Sequence, residues 1–272
     1  MTEQSAAAPS TFSPADLPEI ERRLEDLGRA LDVSRQSTPF AIVAIGFGHR
    51  ARSLWLGLRH ASTGPSHASV QLILRAMVEM TILLPWLAKD PDVHARLWVA
   101  EAKRQTLKVI ENAPTHANPR LAADVAQVCT PERNAEFRRE VAGARTAAIA
   151  AGVVGVGRRG RLIPSLADMV KVVDTPAARE AYGIAYNVLS SYTHSGPGAL
   201  GMRVTPDGVL LEDGPPESPL PDRALAAVAY AVILELVSEI AQLSIESDVR
   251  VLRLRILATT PTPIEPVLAT EG

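Results

Sequence analysis

The most constraining feature of this 272-residue sequence is a long apolar stretch, residues 70–87, with charged side chains in its interior. The stretch contains Arg75 and Glu79 and is interrupted by Pro85. Each charge at the centre of a membrane span costs about 3 kcal/mol, so this stretch is poorly suited to cross a bilayer. We therefore expect a buried core helix, surrounded by other helices, in a cytoplasmic protein.

Helical periodicity extends over most of the remaining chain. Apolar residues recur at spacings of three and four, as in Leu17, Ile20 and Leu24. The sequence therefore predicts an all-α fold, a helical bundle with one small β-hairpin before a long C-terminal helix. The hairpin is predicted around the turn Thr205-Pro-Asp-Gly208. The core helices are expected at residues 39–60, 66–89, 91–112, 176–194 and 221–257.

The pattern predicts a single helical domain over residues 16–258. Residues 1–15 are small and polar and are expected to form a disordered tail. Residues 259–272 contain three prolines and are expected to form a loose tail. Residues 113–163 are rich in Ala and Arg, and we interpret them as an insertion between core helices.

Composition excludes several classes of protein. Hydrophobic residues make up 47% of the chain and charged residues 21%, which is typical of a soluble domain. The net charge of −2 argues against a protein that coats nucleic acid, so any such contact would use a local patch. Cys129 is the only cysteine, which excludes an internal disulfide and a multi-cysteine zinc site. We expect no metal, no cofactor and no signal peptide.

A glycine-rich segment, Gly155-Val-Gly157-Arg-Arg-Gly160, matches the letters of a dinucleotide-binding fingerprint. That fingerprint binds a pyrophosphate only between a strand and a helix. Here an Ala-rich helical stretch precedes it and Pro164 follows it. The sequence favours a solvated linker, with phosphate contacts by its arginines as the alternative.

Arg75 and Glu79 lie four residues apart, so they share one face of a helix and can pair. Moving two charges out of water is costly, so a buried pair needs a reason. One reading is a structural ion pair that orders neighbouring helices. The other is that Arg75 points into a polar site.

The most informative stretch is YGIAYNVLSSYTH, residues 182–194. Tyr182, Tyr186, Ser190 and His194 are spaced four apart, which places them on one slowly drifting stripe of the predicted helix. Histidine is a common general acid or base, and a position at a helix C-terminus favours its protonated form. The stripe is interpreted either as a functional site, bordered by Asn187, or as a buried polar network that locks helix packing.

These motifs together resemble a bacterial family called domain of unknown function 5677. The resemblance rests on the Arg75–Glu79 helix followed by Trp86-Leu87, the Pro164-Ser165 helix and the Tyr186–Ser190–His194 spacing. It covers about residues 40–112 and 163–245.

More distantly, the arrangement is similar to HEPN helical domains, many of which are metal-independent RNases. The resemblance implies that His194 is the catalytic histidine. This chain has Asn187, Val188 and Leu189 where that motif has its arginine, so Arg75 is the candidate cation.

The sequence thus predicts catalytic roles for His194, Arg75 and Glu79 and substrate binding by Tyr186, Asn187 and Ser190. The first functional hypothesis is an RNA- or nucleotide-directed protein in a defence or toxin system. A non-catalytic helical interaction scaffold is the second, and a small-molecule enzyme using the same stripe is a third. The last helix is apolar on more than one side, which favours a homodimer. Its apolar residues are Leu225, Val228, Ile233, Leu236, Val237, Ile240 and Leu243.

Overall fold

The computed structural model describes most of the predicted domain. It covers residues 16–32, 38–62, 67–112, 130–156, 162–185, 202–205, 208–211 and 220–257, with positions 36, 120, 123 and 189. Both predicted tails lie outside the described residues. In chain order the elements are α1 (Leu17–Arg29), α2 (Pro39–Ala61), α3 (His67–Lys89), α4 (Pro91–Asn112), α5 (Pro131–Ala150), α6 (Leu166–Val173), α7 (Pro176–Gly183), β1 (Met202–Thr205), β2 (Gly208–Leu211), α8 (Leu220–Ala241) and α9 (Glu246–Leu257).

Hydroxyl side chains fix where several helices begin. The side chains of Thr38, Thr130, Ser165 and Thr175 each accept a hydrogen bond from the backbone N–H three residues further on. A proline follows each of the three threonines within the first helical turn, where its missing N–H costs nothing. These local signals explain why the predicted starts of α2 and α7 agree with the structure.

The centre of the molecule is formed by α2, α3 and α8, which pack against one another. On one side α4 covers α2 and α3, and α5 lies outside α4. On another side α1 and α9 pack against α8, while α6 and α7 pack against α3. The stretch at residues 70–87 is thus enclosed by helices, as expected. Its fully buried residues include Leu74, Met77, Ile82, Leu84, Trp86 and Leu87.

The predicted fold class requires a first correction, because the fold is all-helical and a β-hairpin is not one of its architectural elements. The contacts that assemble the described elements into a core are helix to helix. β1 and β2 form only a local antiparallel ladder of four residues each, with Met202 opposite Leu211. Among the described residues no other strand pairs with this two-stranded ribbon, so it adds no layer to the fold.

The second correction concerns the long C-terminal helix, which the structure divides into α8 and α9. Gln242 takes a left-handed backbone conformation with φ 53° and turns the chain back on itself. Ser238 supports this turn, because its Oγ donates to the carbonyl of Leu243 at 2.8 Å and its own carbonyl accepts from the Leu243 N–H. No glycine or proline marks the break, so the sequence did not reveal it.

The additional apolar residues of α8 pack against other helices of the same chain. Ile233 and Val237 are fully buried, and the remaining apolar residues cited for dimerisation pack against the core. The reason is that α1, α2, α3 and α9 surround α8. The homodimer itself stays a prediction, and two of the seven residues expected to form its interface are fully buried while the other five are partly buried within the chain.

Two helices are long and apolar enough to cross a membrane by length and composition, Ser69–Lys89 and Asp222–Ala241. Both are central helices of the fold, with more than half of each apolar window buried. The core helix of a soluble protein passes the same test, so this finding leaves the cytoplasmic location a prediction.

Candidate functional site

The predicted pair of Arg75 and Glu79 forms on α3. Arg75 Nε donates to Glu79 Oε1 at 2.8 Å, which confirms the pairing expected from the spacing. The Arg75 side chain is 15% exposed and the Glu79 side chain 36%, so the pair runs from the interior to the surface. Because α3 is packed by α2, α4, α6, α7 and α8, this charged pair lies on the most enclosed helix of the fold.

Gln71 extends this polar stripe by one helical turn. It is a buried residue four positions before Arg75, and its Nε2 donates to Asp222 Oδ2 at 2.9 Å. Asp222 lies in the first turn of α8, so the contact ties the beginning of α8 to α3. Sequence reasoning missed Gln71, although the repeat of Gln71, Arg75 and Glu79 at intervals of four was visible in the sequence.

α7 brings the predicted polar segment alongside α3. Thr175 caps this helix by accepting from the Ala178 N–H at 3.2 Å, and the helix packs against α3 and α6. Tyr182, in its last turn, is half-buried against the core. The chain thus approaches the helix that carries Arg75 just before residues 186–194.

The regular helix predicted for residues 176–194 ends at Gly183 within the part of the chain that the structure describes. The Leu189 N–H donates to the Ile184 carbonyl at 3.1 Å, which is a five-residue spacing typical of a π-turn. Side chains four residues apart lie on one face only where the backbone N–H of each residue bonds to the carbonyl four residues earlier. Within the described residues, the regular α-helical spacing on which the stripe was predicted therefore ends with α7.

Four of the six predicted site residues lie outside the described residues: Tyr186, Asn187, Ser190 and His194. The structure brings Arg75 and Glu79 together, and it places the helix leading to the other four against α3. Leu189, within that segment, is buried. The roles assigned to these residues stay predictions.

A second buried polar cluster joins α1, α2 and α8, and sequence reasoning did not find it. Glu21 is 1% exposed and accepts from Arg223 of α8, with Nη2 at 2.7 Å from Oε2, while Arg59 Nε of α2 lies 3.6 Å away. Glu25, one turn later, accepts from Arg59 Nη1 at 3.0 Å. Glu21 could have been found from the sequence, because the helical period of Leu17 and Leu24 places position 21 on the buried face of α1.

The electrostatics of this cluster follow from its arginines. Burial alone would raise the pKa of Glu25, but its hydrogen bond with Arg29 and the charges of Arg59 and Arg52 outweigh burial and lower the pKa. Burial also raises the pKa of the Tyr230 phenol next to the cluster. The Tyr230 hydroxyl has no hydrogen-bond partner within the part of the chain that the structure describes. The cluster is thus a rigid ion network that fixes α1 on the core.

The described part of the glycine-rich segment does not have the context of a dinucleotide site. Gly155 has φ 84° and follows the helix α5, with no strand before it in the described residues 130–156. A Cβ at this position would lie 3.0 Å from Asp168 Oδ2, so Gly155 allows close packing against the start of α6. Residues 157–161, with the three arginines, lie outside the described residues.

An open groove of about 310 Å³ lies between α4, α5 and the start of α2. Small and apolar residues form most of its walls, and Arg96 and Glu140 are its charged members. Its lining residues are Pro39, Ala95, Arg96, Val99, Ala100, Glu140, Gly143, Ala144 and Ala147. Across the described ranges, no group of three His, Cys, Asp or Glu side chains is placed to hold a metal ion.

The helices α2 to α7 and the polar stripe on α3 define a helical domain shared with a known family. The chain belongs to a family of unknown function (DUF5677), whose sequence profile matches residues 42–208. The match includes Arg75, Glu79 and the segment with His194, and it ends before α8. No curated protein and no solved structure matches the chain. Membership confirms the family resemblance of the sequence, while the more distant HEPN similarity stays a prediction.

Proposed function

We propose that the protein binds RNA or a nucleotide beside α3 and acts on a phosphate group there, as a HEPN-type protein of a defence or toxin system. A cytoplasmic location, where RNA is available, is part of this proposal. In it, Arg75 contacts the phosphate, Glu79 holds Arg75 in place, and His194 is the general acid or base. The substrate is positioned by Tyr186, Asn187 and Ser190.

The observation that carries the proposal is the Arg75–Glu79 pair on the enclosed helix α3. The pair extends from the interior, at Arg75, to the surface, at Glu79. A guanidinium is planar and binds phosphate oxygens in a fork geometry. Because Nε of Arg75 is tied to Glu79 at 2.8 Å, rotation of the head group is restricted before a ligand arrives. A cation held in advance stabilises developing negative charge more effectively than a mobile one.

The chemistry requires one group that accepts a proton and one that donates a proton, and His194 supplies one of these two roles. A general base removes the proton of the ribose 2′-hydroxyl, whose oxygen then attacks the adjacent phosphorus. The bond to the 5′-oxygen breaks, and a general acid protonates that oxygen as it leaves. The products are a 2′,3′-cyclic phosphate and a 5′-hydroxyl end. Arg75 would stabilise the negative charge on the pentacoordinate phosphate that forms between these steps.

The test is cleavage of end-labelled RNA by the purified full chain. We expect His194→Ala to abolish cleavage with the fold intact, and Arg75→Gln to lower the rate about a hundredfold. The matched control is Arg104→Gln. Arg104 is also a half-buried helical arginine, bound through Nε to Glu101 at 2.7 Å, but it lies on α4. The control variant should cleave RNA at the parent rate.

Two results contradict the proposal. One is unchanged cleavage by the His194→Ala variant. The other is a parent protein that neither cleaves RNA nor binds RNA or a nucleotide in a filter-binding assay at low salt, where phosphate contacts are strongest.

A non-catalytic interaction scaffold is the second candidate, and the groove between α4 and α5 favours it. A partner helix would lie along the small residues of that groove, such as Gly143 and Ala147. In this case the polar stripe is structural, and His194→Ala should lower the free energy of unfolding by about 1–3 kcal/mol. Overexpression separates the two candidates, because an active RNase arrests growth and a scaffold does not.

A further inference from the structure

The outer face of α9 carries two large apolar side chains in water. Val251 is 56% exposed and Leu254 is 54% exposed. They lie three residues apart, so they are neighbours on one helix face. The opposite face holds Val249, Leu252 and Ile256, which are buried, and α9 packs there against α8 and α1. The apolar pair therefore belongs to a surface that no described element covers.

Charged residues are distributed unevenly along α9. Its first turn is acidic, with Glu246 and Asp248, and its arginines follow at positions 250, 253 and 255. Arg250 and Arg253 are directed toward α8, where both bind Glu235, at 2.9 and 2.8 Å from Nε. Asp248 and Arg255 lie seven residues apart, close to two helical turns, and so share one flank of the exposed apolar pair.

The apolar and charged residues on this face of α9 are complementary to those of a second α9 that runs in the opposite direction. In an antiparallel pair of identical helices, the same flank of each helix meets the same flank of the other. A register that places Val251 against Leu254 of a second copy brings Asp248 within about one helical turn of Arg255 of that copy. The twofold axis repeats both contacts, which gives two apolar contacts and two ion pairs.

We propose that the outer face of α9 binds the α9 of a second copy of this chain in an antiparallel arrangement. This gives the homodimer expected from the sequence a specific surface, and it is independent of the RNA-directed function. The family match ends at residue 208, so the surface lies outside the part shared with that family. A contact of one helix pair is smaller than the roughly 800 Å² per partner of a standard interface, so the dimer dissociates on dilution.

The experiment is sedimentation equilibrium of the full chain over a series of concentrations. The mean mass of the parent should rise from monomer toward dimer as concentration increases, and Leu254→Glu should remain monomeric. The matched control is Ile149→Glu on α5, because Ile149 is 57% exposed on an unrelated helix. This variant should associate like the parent. Circular dichroism confirms that each variant is folded.

A charge exchange tests the antiparallel register. Asp248→Arg alone and Arg255→Asp alone should each weaken association, because like charges then face each other across the axis. The double variant should restore association, since the ion pair is re-formed with its signs exchanged. A parent that is monomeric at every concentration overturns the proposal. So does a dimer that Leu254→Glu leaves intact, or one that Leu254→Glu and Ile149→Glu weaken equally.

Discussion

At the scale of single residues, His94 shows how a histidine without metal-ligand spacing can still be built into the structure. It is buried on α4, and its Nδ1 lies 2.7 Å from the Trp86 carbonyl oxygen at the end of α3. A carbonyl only accepts, so Nδ1 carries the proton of the neutral ring. The ring also stacks on the Trp86 indole with centroids 4.0 Å apart. His94 thus satisfies a terminal carbonyl of α3.

This role predicts a specific dependence of stability on pH. Burial lowers the pKa of His94, and this outweighs the Trp86 hydrogen bond and the charge of Asp90, which act to raise it. The unfolded chain, with a histidine pKa of about 6.5, then binds the proton more readily than the folded chain. The contribution of His94 is complete above about pH 6.5 and is lost as the pH falls below that value.

The measurement is the free energy of unfolding by urea between pH 8 and pH 5. His94→Gln should lose less stability over this range than the parent, because it removes the group that binds a proton on unfolding. His49→Gln is the control, since His49 is exposed on α2, and its pH profile should follow that of the parent. Identical profiles for the parent and His94→Gln would contradict the assignment.

At the scale of elements, the contact between α1 and α8 depends on one glycine. A Cβ on Gly28 of α1 would lie 1.9 Å from the Tyr230 hydroxyl oxygen and 3.1 Å from Cζ. The hydroxyl is buried and, within the described residues, makes no hydrogen bond. The helices therefore meet at a distance that only glycine permits here. The Glu21–Arg223 pair lies between the same two helices and fixes their relative position.

We expect Gly28→Ala to lower the free energy of unfolding by about 1–3 kcal/mol through overpacking. Tyr230→Phe should be neutral or stabilising, because it removes an unpaired buried hydroxyl. In the Tyr230→Phe background, Gly28→Ala should cost little, since the closest clash is gone and alanine favours the helix. Thermal unfolding of the four proteins measures this coupling. Additive effects in the two backgrounds would show that the helices do not meet through this contact.

A second glycine provides the control for that cycle. A Cβ added to Gly46 on α2 would meet no other atom of the described residues within 4 Å, so this position faces open space. Gly46→Ala should therefore stabilise the protein by up to about 1 kcal/mol through helix propensity alone. A loss of stability at Gly46 comparable to that at Gly28 would mean that backbone effects, and not the Tyr230 contact, explain the result.

At the scale of the whole molecule, the region between residues 113 and 163 differs from the core. Its helix α5 has one buried residue, Ala148, and packs mainly against α4. The central helices α2, α3 and α8 are enclosed on several sides. Segments with few buried apolar contacts open locally at a lower free energy than the core.

Native-state hydrogen exchange should therefore show two levels of protection. Amides of α5 should exchange by local opening, while the most protected amides of α3 and α8 should exchange only on global unfolding. The dependence of exchange on low denaturant concentrations distinguishes these mechanisms. Equal protection in α5 and α3 would contradict the interpretation of residues 113–163 as a peripheral insertion.

Much of the helical layout could be predicted from sequence, because its determinants are local. Thr38 before Pro39 and Thr175 before Pro176 mark helix starts through bonds that span three residues. The Arg75–Glu79 pair was likewise predictable from a spacing of four. The sequence also placed the chain in its family through motifs of this short range.

What only the tertiary structure decided depends on contacts between distant parts of the chain. Glu21 and Arg223 lie 202 positions apart, and no local pattern connects them. The break at Gln242 exists because α9 packs back on α8 and α1, a gain that outweighs the strain of a left-handed glutamine. Local hydrogen bonds thus determined where the helices begin. Burial of apolar surface between helices decided where the last one divides and which of its faces remains exposed.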